Sequence, residues 1–468
     1  MPVYLSQTAH GVKDCGASGR VLCCGAANQG GMTMLFSDSR SLYEAFDSWS
    51  AAMRPFSAAA GEIANLLNDH RNAPYLPDLW RAAPGFLAAR RAASAWWYLA
   101  AIFTRAYDKP AWAITRTEVN GKPCGVAVET VAEKPFCTLI RFAKTVEVKQ
   151  PKMLVVAPMS GHYATLVRDT VESLLPHYDV YVTDWVNARD VPLSEGGFDL
   201  DAFVDYLISF SHKLAPNLHV MAICQPVVPL FMAACLMSSA RDTRAPASCV
   251  LIGGPLDTAQ SPTGVNTLAM DNPIDRFQRN VIALVPPRYP GAMRLVYPGF
   301  MQLAGFMSMN PDKHAQSLRN AVQNFIEGDF AGARKTVMFY LEYFSVMDLT
   351  AEFYLQTINS IFKENRLAQG RLLSRGRPVD PKAVESIALL AIEGEKDDIC
   401  GRGQTKAALA LCANLPADKK RYHLQKDVGH YGQFSGSKFR KYVLPVIQEF
   451  TAAQGKARAA ARAPKAVA

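Results

Sequence analysis

The chain has 468 residues, of which 49% are hydrophobic and 19% are charged. This balance is typical of a globular protein with a sizeable core, and no uninterrupted apolar run reaches the ~20 residues that a membrane-spanning helix needs. Part of the net charge of +9 lies in residues 455–468, which we interpret as a solvated terminus, and because no other nucleic-acid signature is present we expect no nucleic-acid partner.

The N-terminal segment and the cysteines both indicate a cytoplasmic protein. Residues 1–33 are polar and rich in glycine, without the apolar region of a secretory signal. We predict that they form a disordered extension, or that translation starts at Met32 or Met34, where a helical pattern first appears. The ten cysteines are irregularly spaced, so we expect reduced thiols and find no pattern for a metal or an organic cofactor.

The predicted elements begin with helices. Apolar residues recur at helix spacing within residues 34–107, and residues 113–149 contain two or three strands. From Lys152 onwards, short β-branched runs alternate with helices, which is typical of a parallel sheet covered on both faces. The predicted strands are 153–157, 179–184, 219–223, 248–253, 386–393 and 421–424, with helices at 164–175, 201–213 and 227–239.

Residues 255–384 interrupt this alternation and show no convincing buried strand. We predict a helical cap or lid, because long structured insertions tend to carry function. Seven of the sixteen methionines fall within 270–347, among several aromatic residues. They form either an ordinary helical core or an adaptable apolar groove for a flexible ligand. The other predicted units are 34–254 and 385–450, which together form the α/β core, and a basic disordered tail at 451–468.

The candidate nucleophile is Cys224, where a predicted strand runs directly into a helix. In α/β-hydrolases the nucleophile occupies such a turn, usually with glycines two residues before and two after it. Here those positions hold Ala222 and Pro226. The helix N-terminus favours a thiolate and offers the N–H of Gln225 to an oxyanion. A buried structural cysteine is the competing interpretation.

Three further positions complete a possible acyl-transfer site. The loop after the first parallel strand places Met159 or Ser160 where the fold supplies its other oxyanion donor. Acids cluster at 393–399 after a late strand, and His430 lies between glycines after the last one. Nucleophile, acid and histidine follow the α/β-hydrolase order. In this site His430 moves the thiol proton and an acid orients the imidazole, and esters suit it better than amides because alkoxides leave more easily.

Three strings carry a family resemblance: Cys-Gln-Pro-x-Val-Pro from Cys224, Ala-Pro-Met-Ser-Gly-His-Tyr-Ala-Thr-Leu at 157–166, and Gly-His-Tyr-Gly at 429–432. Together they resemble the intracellular poly(3-hydroxybutyrate) depolymerases, over roughly residues 34–450. Four shorter strings extend the match: 183–187, 253–257, 261–266 and 393–399.

This resemblance implies a Cys–Asp–His triad that hydrolyses amorphous polymer in cytoplasmic granules to 3-hydroxybutyrate and short oligomers. It assigns Cys224 as nucleophile and His430 as base. The acid is either Asp397 or its neighbour Asp398, and the Asp-x-Ile pattern shared with the polyhydroxyalkanoate synthases points to Asp397. The expected partners are the granule surface and the polymer chain.

Two alternatives are open beside the depolymerase. One is a synthase-like acyltransferase, although the synthases have Gly-x-Cys-x-Gly where this chain has Ala-Ile-Cys-Gln-Pro. The other is a catalytically inactive protein that coats granules. An esterase for small esters is a further possibility within the same fold. The sequence leaves the oligomeric state, the preferred polyester and the acyl acceptor open.

Overall fold

The structure is a computed structural model that describes residues 39–68, 85–104, 108–309 and 311–462. The predictions for residues 1–33 and for a start at Met32 or Met34 lie outside the described residues. The strands, in chain order, are β1 (Arg116–Val119), β2 (Lys122–Lys134), β3 (Cys137–Lys144), β4 (Lys152–Val156), β5 (Asp179–Trp185), β6 (Leu218–Ile223), β7 (Ser248–Ile252), β8 (Ala283–Leu284), β9 (Leu295–Tyr297), β10 (Leu349–Thr350), β11 (Leu373–Ser374), β12 (Arg377–Pro378), β13 (Ala388–Gly394) and β14 (Lys420–Gln425).

The central sheet has nine strands in the order β1-β2-β3-β5-β4-β6-β7-β13-β14. The last six are parallel to one another, and β1 to β3 join them as an antiparallel extension. Every residue of β6, β7 and β13 is buried, because strands covered on both faces must be apolar throughout. The predicted α/β fold with a mostly parallel sheet is confirmed, and each predicted parallel strand ends within two residues of the observed one.

The helices are α1 (Ser39–Asn68), α2 (Phe86–Thr104), α3 (Arg168–Leu174), α4 (Leu200–Leu214), α5 (Val227–Ser239), α6 (Gly264–Asp271), α7 (Ile274–Val281), α8 (Gly299–Met309), α9 (Pro311–Glu327), α10 (Phe330–Tyr343), α11 (Ala351–Thr357), α12 (Ala407–Leu411), α13 (Gly436–Lys438) and α14 (Leu444–Arg462). Eleven of the thirteen residues of α5 are buried, so this helix is a central part of the core. Within the described ranges, no helix combines the length and apolar character needed to cross a membrane.

The helical pattern predicted for residues 34–107 is confirmed where the structure describes it. The helices α1 and α2 pack against each other, and two serine hydroxyls link them. Ser57 donates to the Ala101 carbonyl at 2.9 Å, and Ser94 donates to the Ala64 carbonyl at 2.8 Å. The pair is also attached to the rest of the chain, because Tyr43 of α1 donates a hydrogen bond to the buried Asp348 carboxylate.

Residues 255–384 contain α6 to α11 and a small antiparallel sheet in the order β10-β9-β8. The prediction that this region has no buried strand is wrong, because Ala283, Val296 and Leu349 of that sheet are buried. Strands of two or three residues are too short for a period-2 pattern to be read from sequence.

The C-terminal part of the chain is helical further than predicted. A disordered tail was expected from residue 451, yet α14 continues to Arg462. Thr451 is buried, and its hydroxyl lies 2.7 Å from the Tyr178 hydroxyl. The following residues are mostly alanine, lysine and arginine, which have high helix propensity, so the helix continues beyond its last core contact.

Candidate active site

Cys224 lies at the sharp turn between β6 and α5. Its φ angle is +66°, a left-handed conformation that costs energy for any residue other than glycine. The turn is held on both sides, because the Cys224 N–H donates to the Ile252 carbonyl at 2.8 Å and the Cys224 carbonyl accepts from Val227 N–H at 3.0 Å. Backbone strain of this kind tends to be kept at functional sites.

Cys224 also differs from the other described cysteines in exposure. The structure describes seven cysteines, all of them free thiols, as the sequence predicts for that part of the chain. Cys224 is partly exposed, whereas the other six are buried. Burial raises the pKa of the Cys249 thiol and of the Cys412 thiol, the latter to about 12, which keeps both protonated and unreactive. The partly exposed thiol is the one placed at the turn.

The close packing around the Cys224 turn depends on glycines that lie outside the turn, since Ala222 and Pro226 occupy the two positions within it where glycine is usual. A Cβ atom on Gly254, just after β7, would lie 2.1 Å from Cβ of Val227 in the first turn of α5. A Cβ atom on Gly253 would lie 3.2 Å from Cε1 of His430. The sequence interpretation looked for glycine beside Cys224 and missed these two, which come from the neighbouring strand.

The close approach at Gly254 gives a prediction about stability. We expect Gly254→Ala to lower the free energy of unfolding by at least about 1–3 kcal/mol, because the new methyl group overlaps the Val227 side chain and the core must shift. Gly264→Ala is the matched control, since nothing lies within 4 Å of its Cβ position. Urea unfolding measures both, and equal stabilities for the two variants would contradict the close packing.

His430 and Asp397 form a buried pair. His430 Nδ1 lies 2.8 Å from Asp397 Oδ2, and their side chains are 4% and 1% exposed. The second oxygen, Oδ1, accepts hydrogen bonds from the N–H groups of Ile399 and Cys400, each at 2.9 Å. Burial would raise the pKa of Asp397, but the charge of His430 and these hydrogen bonds outweigh it, so the pKa is lowered and the carboxylate stays charged.

Gln433 is a further contributor that the sequence interpretation did not name. Its Nε2 donates to Asp397 Oδ2 at 2.6 Å, so the carboxylate oxygen that faces His430 has two donors. Gln433 is fully buried. The available signal is its position three residues after His430, where a single helical turn brings it back beside the imidazole.

The two adjacent acids have different surroundings. Asp398 is 39% exposed and forms an ion pair with Lys313 of α9 at 2.7 Å. Asp397 points inwards to His430. Of the two acids that the sequence leaves as alternatives, only Asp397 lies against the imidazole.

The other side of the imidazole is next to Cys224. Burial alone lowers the pKa of His430, but the neighbouring Cys224 and the Asp397 carboxylate reverse this and raise the pKa well above its usual range. His430 Nε2 is buried and makes no hydrogen bond within the described ranges. This nitrogen is therefore available to exchange a proton with a group at Cys224.

Two of the predicted oxyanion donors, Met159 and Ser160, follow β4, the strand that pairs with β6. Gln225 follows Cys224 directly and is buried, as is Met159, whereas Ser160 is partly exposed. In the part of the chain that the structure describes, none of the backbone N–H groups of these three residues donates a hydrogen bond. Unpaired N–H groups at a helix N-terminus and in an adjacent loop are suited to bind a developing negative charge.

A cavity of about 280 Å³ lies beside His430, and we call it the catalytic pocket. Aromatic and apolar side chains of α8 and α10 form one wall of it. These side chains are Phe306, Met309, Phe339 and Tyr343. Other members of the predicted methionine and aromatic cluster, such as Tyr340 and Met347, are buried in the core. The core interpretation is confirmed for these buried members, whereas the groove interpretation of the residues that line the cavity stays a prediction.

We compared the chain with curated proteins, with solved structures and with models of protein families. No curated protein matches it. Solved structures that resemble it include the α/β hydrolase GrgF from Penicillium sp. sh18, with 13% identity over 71% of this chain and 99% of that one and a TM-score of 0.41. A thermophilic esterase from Thermogutta terrifontis has 14% identity, coverage of 73% and 98%, and a TM-score of 0.36. A monoacylglycerol lipase from Paleococcus ferrophilus has 14% identity, coverage of 68% and 99%, and a TM-score of 0.38.

The match to a family model is more specific than these likenesses. Residues 253–455 match the family described as PHB de-polymerase C-terminus. This range includes Asp397, His430, Gln433 and the whole wall of the catalytic pocket. Ester hydrolysis is the class of reaction that the match supports. Over residues 253–455, which are less than half of the chain, the protein is similar to the PHB depolymerase family.

Proposed function

We propose that this protein hydrolyses poly(3-hydroxybutyrate) through an acyl-enzyme on Cys224, with His430 as general base and Asp397 as the acid that orients it. The observation that carries the proposal is the strained backbone of Cys224, which holds a thiol at the strand–helix turn beside the buried His430–Asp397 pair. A structural cysteine does not need a left-handed backbone, and a solvated acid does not need four hydrogen bonds.

The first half-reaction follows from this arrangement. His430 Nε2 takes the thiol proton, and the sulfur of Cys224 attacks the ester carbonyl carbon. The N–H groups of Gln225 and of Met159 or Ser160 stabilise the oxyanion of the tetrahedral intermediate. When the intermediate collapses, the carbon–oxygen bond breaks, and the imidazolium gives its proton to the departing alkoxide. The acyl group remains on sulfur as a thioester.

The second half-reaction regenerates the thiol. His430 takes a proton from a water molecule, whose oxygen attacks the thioester carbonyl. The thiolate leaves and recovers a proton from the imidazolium, and a carboxylic acid is released. The carboxylate of Asp397 holds the imidazole in one tautomer and stabilises its charged form in both halves. No cofactor is needed for this sequence of steps.

We further propose that the polymer is met at the surface of cytoplasmic storage granules. The family match supports a polymeric ester as substrate. The catalytic pocket is mostly aromatic and apolar, which suits an uncharged polyester with short alkyl side groups. Exposed Met309 and Phe339 extend this surface outwards from the pocket.

A comparison of three substrates tests the proposal. We expect release of 3-hydroxybutyrate from native amorphous granules, slower hydrolysis of p-nitrophenyl butyrate, and no incorporation of 3-hydroxybutyryl-CoA into polymer. Incorporation would favour the acyltransferase. Hydrolysis of the small ester alone would indicate a small-ester esterase, and binding to granules without hydrolysis would indicate an inactive coat protein.

The raised pKa of His430 predicts the pH dependence of activity. The imidazolium protonates the leaving alkoxide, and a raised pKa keeps it charged at higher pH. Activity that needs this form is present below the raised pKa and is lost only as pH rises through it. The alkaline decrease in kcat/KM for a soluble ester should therefore lie above the ordinary histidine pKa of about 6.5. A decrease centred at or below that value would contradict the pairing.

A further inference from the structure

A larger cavity lies on the other side of the cap helices. Its volume is about 650 Å³, more than twice that of the catalytic pocket and within the usual range for ligand sites. The N-terminal helix α1 forms one wall, with Phe46 and Trp49, and α8 forms the facing wall, with Phe300 and Leu303. We call it the second cavity. The steps of ester hydrolysis described above make no use of it.

The two cavities share walls. Phe306 of α8 lines the catalytic pocket, whereas Leu303 and Met307 of the same helix line the second cavity. At the end of α10, Tyr343 lines the first and the next residue, Phe344, lines the second. Phe306 and Met307 are adjacent in α8, so their side chains leave the helix about 100° apart, one towards each cavity. The two cavities therefore both border α8 and share it as a wall.

The lining of the second cavity includes a group of aromatic rings in contact with one another. Phe46 stacks on Phe300, with ring centroids 4.0 Å apart and planes 13° from parallel. The Trp49 ring is 6.0 Å from Phe46 and is 49% exposed. Flat, partly exposed aromatic faces of this kind can cover an apolar chain without large rearrangement.

The lining also carries charges that compensate one another. The lining contains three arginines and three aspartates. Arg288 forms an ion pair with Asp47, and the charge of Arg189 lies next to that of Asp348. A strongly charged ligand would therefore gain little here. The guanidinium groups still offer N–H donors, which suit a neutral ligand with carbonyl acceptors.

We propose that the second cavity binds a segment of the polyester chain a few repeat units away from the ester that is cleaved. This inference rests on the proposed function. A polyester is uncharged and apolar, and it carries a carbonyl acceptor in every repeat, which matches the aromatic rings and the guanidinium N–H donors of the lining. A polymer long enough to cross α8 occupies both cavities at once, whereas a small ester reaches only the catalytic pocket. The second contact raises the effective concentration of the scissile ester near Cys224.

Trp49→Ala tests the proposal because the side chain is half exposed and lies away from the catalytic residues. We expect KM for a soluble 3-hydroxybutyrate oligoester of several repeats to rise roughly five- to tenfold, the loss of one aromatic contact. The kcat/KM for p-nitrophenyl butyrate should stay within about twofold of wild type, because that substrate does not reach the second cavity. Trp49→Phe should restore most of the affinity for the oligoester.

Trp96→Ala is the matched control. This tryptophan of α2 is 69% exposed and does not line the second cavity. Equal increases in KM for Trp49→Ala and Trp96→Ala would assign the effect to a general aromatic surface and overturn the proposal. An unchanged KM for Trp49→Ala, or an equal loss on both substrates, would also overturn it. If the wild-type protein hydrolyses neither substrate, the proposed function itself fails, before any variant is compared.

Discussion

Cys224→Ala is expected to lower kcat for ester hydrolysis by a factor on the order of 10⁴–10⁶, while the protein stays folded and still binds polymer. The sulfur is the only protein atom that forms a bond to the acyl carbon in the proposed mechanism, so nothing else at the turn can replace it. Alanine keeps the Cβ atom and fits the left-handed backbone no worse than cysteine does. The measurement is 3-hydroxybutyrate release from granules, together with sedimentation of the protein with the granules.

Cys235→Ala is the matched control for this prediction. Cys235 lies in α5, the helix that begins just after the turn, and it is fully buried. Its replacement removes a thiol of the same helix without touching the reacting atoms, so turnover should be close to wild type. If Cys224→Ala retained more than about one per cent of wild-type turnover, covalent catalysis at this residue would be contradicted.

Asp397→Asn is expected to lower kcat by a factor on the order of 10³–10⁴, whereas Asp398→Asn leaves it within about twofold. The asparagine amide presents an N–H where His430 needs an acceptor, so the imidazole is held in the wrong tautomer. Asp398 is the neighbouring residue, but it pairs with exposed Lys313, and such surface pairs are worth little. Each variant removes one negative charge, and the two positions are adjacent, so Asp398→Asn is the matched control for Asp397→Asn.

Steady-state kinetics on a soluble 3-hydroxybutyrate oligoester, whose leaving alkoxide needs the imidazolium proton, distinguishes the two acids. The pH dependence provides a second readout, because loss of the Asp397 carboxylate removes one of the charges that raise the pKa of His430. The alkaline decrease in activity should therefore move to lower pH in Asp397→Asn only. A large loss in Asp398→Asn, with Asp397→Asn near wild type, would reverse the assignment of the acid.

Some of the site could be predicted because its signal is local in sequence. A strand that ends in Cys224 and is followed by a helix defines the turn within about ten residues. His430 between two glycines is equally local. The periodic alternation of strands and helices also identifies the parallel sheet, because strands buried on both faces need continuous apolar runs.

Other parts depend on contacts between distant segments. Asp397 and Asp398 are neighbours in sequence, and only the direction of the loop after β13 decides which of them meets His430. The space at the turn comes from Gly253 and Gly254, about thirty residues after Cys224. A search for glycines next to Cys224 in the sequence cannot find them, because they follow a different strand that lies beside the turn.

The second cavity depends even more strongly on contacts between distant segments, and it therefore could not be predicted from the sequence. Its facing walls come from α1 and α8, which are some 250 residues apart in the chain. In the sequence, the aromatic residues of α1 read as the apolar face of an ordinary helix. Their partial exposure and their stacking on Phe300 become visible only when the two helices are brought together.

The most direct test of the central claim is to trap the acyl group. The full-length protein is mixed with an activated ester of 3-hydroxybutyrate, quenched with acid within one turnover and digested, and the peptides are mapped by mass spectrometry. We predict one 3-hydroxybutyryl group on Cys224 and none in the Cys224→Ala variant. An acyl group on another residue such as Cys400, or turnover without any covalent intermediate, would contradict the account.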